Sequence, residues 1–229
     1  MNLKKIKSYF NKTEIALWSA SILLITLSFI LFDRENYLIL CASVIGTTSL
    51  IFCAKGNPIG QFLMIIFSAL YGVISFTFRY YGEMITYLGM TAPMALFSLV
   101  SWLKHPFKGN RGEVEVNQIT AKEAPVIVTS TIAVTVVFYL ILAYFNTANI
   151  ILSTISVTTS FLAVYLTFRR SALYALAYAA NDIILILLWI LASIENVGYV
   201  SVVICFVAFL FNDIYGFISW KHIEHRQKA

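Results

Sequence analysis

Asp182 and Asp213 each sit midway along a stretch otherwise apolar enough to cross a bilayer, and each follows an asparagine, as Asn181-Asp182 and Asn212-Asp213. A carboxylate at the centre of a spanning helix costs roughly 3 kcal/mol even on the lenient insertion scale, so it normally faces a polar cavity, a partner or a substrate path. The pairs therefore either tie helices together through hydrogen bonds or handle a polar substrate. In the first stretch Tyr178, Asp182 and Trp189 stand at i, i+4 and i+11, which on a helix puts all three on one stripe within about 40°. Two aromatic faces beside a carboxylate suit a flat, cationic ring. Stacking and cation–π attraction supply binding, while the acid balances charge or accepts hydroxyl hydrogen bonds. Packing or interfacial roles for the two aromatics compete with that reading.

A second polar stripe, Asn57, Gln61, Ser68 and Ser75, lies at i, i+4, i+11 and i+18. Amides so placed glue helices or read a ligand's polar edge, and Gln61 is the best candidate for the latter. Asn212 and Asp213 are adjacent and point about 100° apart, so one faces the pathway and the other a neighbouring helix, in an order the sequence leaves open. The polar run from Ser153 to Ser160 reads first as close helix packing. The candidate substrate-binding set is thus Gln61, Tyr178, Asn181, Asp182, Trp189, Asn212 and Asp213. The chain has no phosphate-binding glycine loop, HExxH or nucleophile elbow, and Cys41, Cys53 and Cys205 have no metal-type spacing. They read as packing residues. An enzyme is therefore the weaker class, and no metal or cofactor is expected.

The elements that must position these residues are membrane helices. Of the 229 residues 60% are hydrophobic and 12% charged, with a mean hydropathy of +0.83, too apolar for a water-facing fold. Apolar runs at residues 15–32, 37–54, 59–78, 84–103, 125–145, 150–168, 172–193 and 197–219 give eight spans. They are continuously apolar rather than alternating, which excludes a transmembrane barrel. The first ends in Asp33-Arg34-Glu35, not in a small-residue cleavage site, so it is expected to stay in the mature protein. The net charge of +5 gathers on no face suited to nucleic acid and reports topology instead. Lys4, Lys5, Lys7, Lys12, Lys55, Lys104, Lys108, Arg111, Lys122, Arg169, Arg170, Lys221, Arg226 and Lys228 fall on the N-terminal side, and only Arg34 and Arg79 on the other. That bias predicts both termini in the cytoplasm.

The long connection at residues 105–124 reads as a cytoplasmic linker, with nothing outside the bilayer large enough for a second domain. On either side lies a repeat. Phe97 to Trp102 reads FSLVSW and Tyr215 to Trp220 reads YGFISW, while Thr-Thr-Ser recurs at 47–49 and 158–160. The expected fold is all-α integral membrane: an extra N-terminal helix (13–33), a three-helix bundle (36–104), the linker, a connecting helix (125–146) and a second bundle (148–221). Because an odd helix separates them, the bundles share one orientation. Such a parallel repeat holds substrate between the halves in known carriers.

Tyr81-Gly82-Glu83-Met84, then Pro93-Met94, then Ser98 and Trp102, with Gly216 and Trp220 closing the last span, is similar to the PnuC family of vitamin transporters. The resemblance runs from about residue 36 to 220. It implies a three-one-three arrangement like that of the SWEET sugar carriers, in the bacterial plasma membrane. It also implies facilitated diffusion of nicotinamide riboside, trapped inside by a cytoplasmic nucleoside kinase, and a homotrimer. Ser98 stands where the family usually has Gly, and Tyr178 where several relatives carry Trp. Some relatives take thiamine or deoxyribonucleosides; an acid at Asp182 suits a cationic nicotinamide or thiazolium ring better than a neutral nucleoside. Two further readings compete: a proton relay through Asp182 and Asp213, and a membrane scaffold whose polar pairs only join helices.

Overall fold

A computed structural model describes residues 9–77 and 81–229. Phe78 and Arg79, together with Lys4, Lys5 and Lys7 of the charge bias, lie outside the described residues. Among the described residues, eight helices are long and apolar enough to cross a membrane: α1 (Lys12–Phe32), α2 (Tyr37–Ala54), α3 (Pro58–Thr77), α4 (Tyr81–Lys104), α5 (Ala124–Tyr144), α6 (Ile150–Phe168), α7 (Leu173–Glu195) and α8 (Val200–Lys228, led by a 3₁₀ turn at Val197–Tyr199). The chain is a multi-pass helical membrane protein. Most ends fall within three residues of the apolar runs, and two differences matter here. α4 starts at Tyr81, which takes Glu83 into the helix. α8 continues past Ser219 because its polar tail is self-supporting, with Glu224 accepting from Lys221 and Lys228 at 2.9 Å each in the i, i+3 and i, i+4 pairs that favour helix.

Local signals set the starts. Asn11 and Glu14 form a reciprocal capping box on α1. Asn57 accepts the Ile59 N–H at 2.9 Å ahead of Pro58, whose missing N–H costs nothing at a first helical position. Within α4 the ladder widens to a π segment at Thr86–Thr91, where the Ala92 N–H reaches back to the Tyr87 carbonyl. Pro93 follows and has no N–H to give, which the ladder accommodates by the π-bulge one turn earlier.

α2, α3 and α4 pack in sequence, as do α6, α7 and α8, and the two sets meet through α8 on α2 and α4 on α6. Exchanging one set for the other leaves this pattern unchanged. α5 packs on α6, and α1 lies against α8 and α2.

The exchange extends to single hydrogen bonds. α2 ends with the Gly56 N–H on the Cys53 carbonyl (2.8 Å) and Asn57 on Phe52 (3.0 Å); α6 ends with Arg170 on Thr167 and Ser171 on Leu166 (both 3.0 Å). Gly56 and Arg170 adopt φ of 64° and 58°, the left-handed turn of a Schellman cap. Trp220 Nε1 and Ser219 Oγ then donate to the carbonyls of Cys53 and Ala54 (both 2.7 Å), while Trp102 Nε1 and Ser101 Oγ donate to those of Thr167 (2.9 Å) and Phe168 (3.0 Å). The FSLVSW and YGFISW match is in register with these bonds. The Thr-Thr-Ser match is not: the bonds pair residues 53–54 with 167–168, three residues away from it.

The linker has structure that its composition did not announce. β1 (Pro106–Phe107) and β2 (Asn110–Val114) form an antiparallel hairpin turned by Lys108 and Gly109, both at positive φ. The strand then straps both halves: the Val114 N–H donates to the Gly56 carbonyl and that of Asn117 to the Arg170 carbonyl, each at 2.9 Å. Val114 itself is fully buried in a cluster with Trp102, Tyr174 and Trp220.

Candidate functional site

Between the two helix sets, Asp182 of α7 and Asp213 of α8 line one pocket with Asn181, Tyr178, Tyr87 of the π segment and Phe67 of α3. Both acids are buried and face the same pocket. Asp182 Oδ2 is wholly sheltered and has no hydrogen-bond partner among the described residues, a cost that a folded chain retains only for a reason. The rest of the wall is mainly apolar, with Phe206 and Phe209 of α8 beside Leu50, Met64, Val164 and Leu185; Phe67 makes ring contacts with Tyr71, Tyr87 and Phe209, and Tyr71 with Tyr87. At about 40 Å³ the pocket holds a few waters and is far below the size of a nucleoside site.

The pocket leads toward the end of the bundle opposite the chain termini. Tyr87, Thr91, Ser160 and Leu185 also line a neck, and Glu83 and Trp189 line both that neck and a vestibule of about 310 Å³ that is rimmed by Asn146 and Glu195. Gly82 makes the junction possible, since a Cβ there would fall 2.4 Å from Leu142 and 2.8 Å from Thr147. No Lys, Arg or His stands among the described residues lining the three cavities. Toward the termini the interior is filled by aromatic packing, Tyr178 on Tyr174 (6.2 Å), Tyr174 on Trp220 (4.9 Å) and Trp220 on Trp102 (5.4 Å), with Val114 beneath.

The expected residues separate into groups. Tyr178, Asn181, Asp182 and Asp213 meet in the central pocket. Asn181 Oδ1 accepts from Ser156 (3.1 Å) and Thr159 (2.9 Å), so its NH₂ is what it can offer a ligand. The polar run on α6 thus both packs and positions Asn181, and Ser153, Ser156 and Ser160 also line the route. Trp189 stands higher, in the neck and vestibule, against Tyr199 at 5.3 Å. Asn212 points the other way: its amide donates to Ser21 of α1 (2.9 Å) and to the Ala208 carbonyl (2.7 Å). Asp213 is therefore the member of that pair facing the pathway. Gln61 is buried with its amide on Cys53 Sγ at 3.2 Å and does not line the pocket. Asn57, the foot of the same stripe, donates to Tyr9.

Glu83, Phe67, Tyr87, Phe206 and Phe209 were not on the expected list. The apolar run placed Glu83 just outside the membrane, although an acid directly before it was a usable signal. The aromatics carried none, because aromatic residues fill any membrane helix. Among the described residues there is no group of three metal-ligating side chains.

The family model described as nicotinamide mononucleotide transporter matches residues 36–222. A protein named nicotinamide riboside transporter PnuC, from Neisseria mucosa, is 28% identical over 220 residues, covering 93% of this chain and 83% of its own. The crystal structure of the vitamin B3 transporter PnuC superposes with a TM-score of 0.82 over 95% of this chain and 94% of the other at 24% identity, which is the same fold.

Proposed function

The chain belongs to the nicotinamide mononucleotide transporter family, and on that premise we propose that it takes up nicotinamide riboside by facilitated diffusion through the pocket of Asp182 and Asp213. The observation that carries the reading is charge. The pocket offers two acids and aromatic faces with no described cation on its lining. The pyridinium ring of the riboside is a planar cation that such a site attracts by stacking, cation–π contact and charge neutralisation. The mononucleotide adds a phosphate, and a dianion brought into a low-dielectric site without a positive partner meets the full desolvation penalty plus repulsion from the acids. The curated relative's name, a riboside transporter, agrees with that preference. Thiamine is also a cation and remains the second candidate; deoxyribonucleosides lack the charge.

In this reading Tyr178 and the aromatic wall hold the ring, Asp182 and Asp213 balance it or bind ribose hydroxyls, and the Asn181 NH₂ binds a polar edge. Trp189 guides the ring down the neck. The two helix sets, related by an axis along the membrane normal, rock against one another around the site. With both termini cytoplasmic in a bacterial cell membrane, the vestibule faces outward, and the linker and paired tryptophans close the inner side. Accumulation would then come from a cytoplasmic kinase that phosphorylates the product. The apolar outer face of α5, with Val128, Ile132, Val136 and Leu140 exposed, is available to lipid or to the other copies in a homotrimer.

Counterflow in proteoliposomes tests this reading. Internal unlabelled nicotinamide riboside should drive uptake of external labelled riboside with no proton gradient and no effect of a protonophore. Uptake abolished by the protonophore would favour the competing proton relay, for which the shared pocket of Asp182 and Asp213 is the supporting observation. Absence of saturable uptake for the riboside, thiamine and deoxyribonucleosides alike would favour a scaffold.

A further inference from the structure

Glu83 is an acid of the approach route with no part in the central pocket. It opens the first turn of α4 and lines both the vestibule and the neck. Its Oε2 is fully sheltered from solvent inside the protein. Ser75 of α3 is a polar neighbour of its carboxylate. Trp189 lines the same two cavities, and Glu195 stands at the rim. Acids therefore mark three depths, Glu195, Glu83 and then the pair Asp182 and Asp213, with no described cation on the linings between them. The volumes differ in the same direction. The vestibule, about 310 Å³, has the size of a small-ligand site, whereas the central pocket at about 40 Å³ must widen before a nucleoside fits.

We infer that Glu83 and Trp189 form a separate capture site for an organic cation, occupied in the vestibule before the ligand reaches Asp182 and Asp213. For nicotinamide riboside the inference rests on the substrate reading above, but capture by charge and ring stacking does not require the ribose. Glu83 attracts the positive ring through a narrow, low-dielectric mouth, which raises the association rate, and Trp189 holds its face.

The test is stopped-flow association followed by tryptophan fluorescence on the full-length protein in nanodiscs, comparing wild type, Glu83→Gln and Glu83→Asp. Two ligand pairs are used, each a cation and a neutral counterpart: nicotinamide riboside with its reduced dihydro form, and N-methylnicotinamide with nicotinamide. Glu83→Gln should slow association of the cations about fivefold to tenfold and leave the neutral partners unchanged, with Glu83→Asp recovering part of the rate and the melting temperature unmoved. Glu83-dependent capture of N-methylnicotinamide without any binding of the riboside would uphold the capture site and overturn the substrate reading. Equal rates in wild type and Glu83→Gln, or equal slowing of cation and neutral ligand, would overturn the capture site.

Discussion

Trp102 and Trp220 meet ring to ring at 5.4 Å, each donating its indole N–H to a carbonyl at the end of a helix in the other half. The two halves are thus hooked into one another by the same residue at the same place. Trp102→Phe and Trp220→Phe each remove one buried hydrogen bond and part of the shared packing, an expected loss of about 1–3 kcal/mol. Because the rings touch, the double variant should lose less than the two losses added together. Thermal unfolding in detergent measures all three.

Asn212 and Asp213 are neighbours with opposite duties. Asn212→Leu removes the hydrogen bond to Ser21 and should lower the melting temperature through the seating of α1, while changing riboside affinity by less than about threefold. Asp213→Asn keeps the shape and removes the charge, and should weaken binding about 30-fold or more, as expected when one member of a buried charge contact is lost. Titration of both variants reads the difference.

The cation-free lining makes a phosphate the strongest discriminator. Nicotinamide mononucleotide should bind at least about 100-fold more weakly than the riboside. Replacing Ser160, which lines both the neck and the pocket, with Lys should narrow that gap by weakening the riboside and helping the nucleotide. Competition binding with the two ligands reports the ratio.

Val114 is the buried end of the linker strap. Val114→Ala removes about 2 kcal/mol of packing from the closed inner side, and so should raise the population of inward-open protein roughly tenfold or more. Cys53, buried in the same cluster, is the natural reporter. In a Cys41→Ser background its alkylation should be slow in the parent and about tenfold faster with Val114→Ala.

Much of this could be read from the chain because a bilayer constrains it so strongly. Eight apolar runs gave eight helices, and the repeated Ser-Trp ends, Ser101-Trp102 and Ser219-Trp220, lie at equivalent positions. Asp182 and Tyr178 were legible for the same reason, since burying an acid in an apolar run is costly. What stayed hidden depends on contacts between distant segments. Asn212 and Gln61 are as polar as Asp213, and only packing shows that one meets Ser21 and the other Cys53. The Thr-Thr-Ser match misled by three residues because small polar residues recur throughout membrane helices. The hairpin at Pro106–Val114 is too short to announce itself, and Glu83 fell outside an apolar window that began one residue after it.

The most direct measurement is a calorimetric titration of the purified protein with oxidised nicotinamide riboside and with its neutral dihydro form, in wild type and in Asp182→Asn. Saturable binding that favours the cation in wild type, and loses that preference in Asp182→Asn, is the expected result. Equal affinity for the charged and neutral forms in wild type, or a preference that survives Asp182→Asn, would contradict a site built on the acid pair.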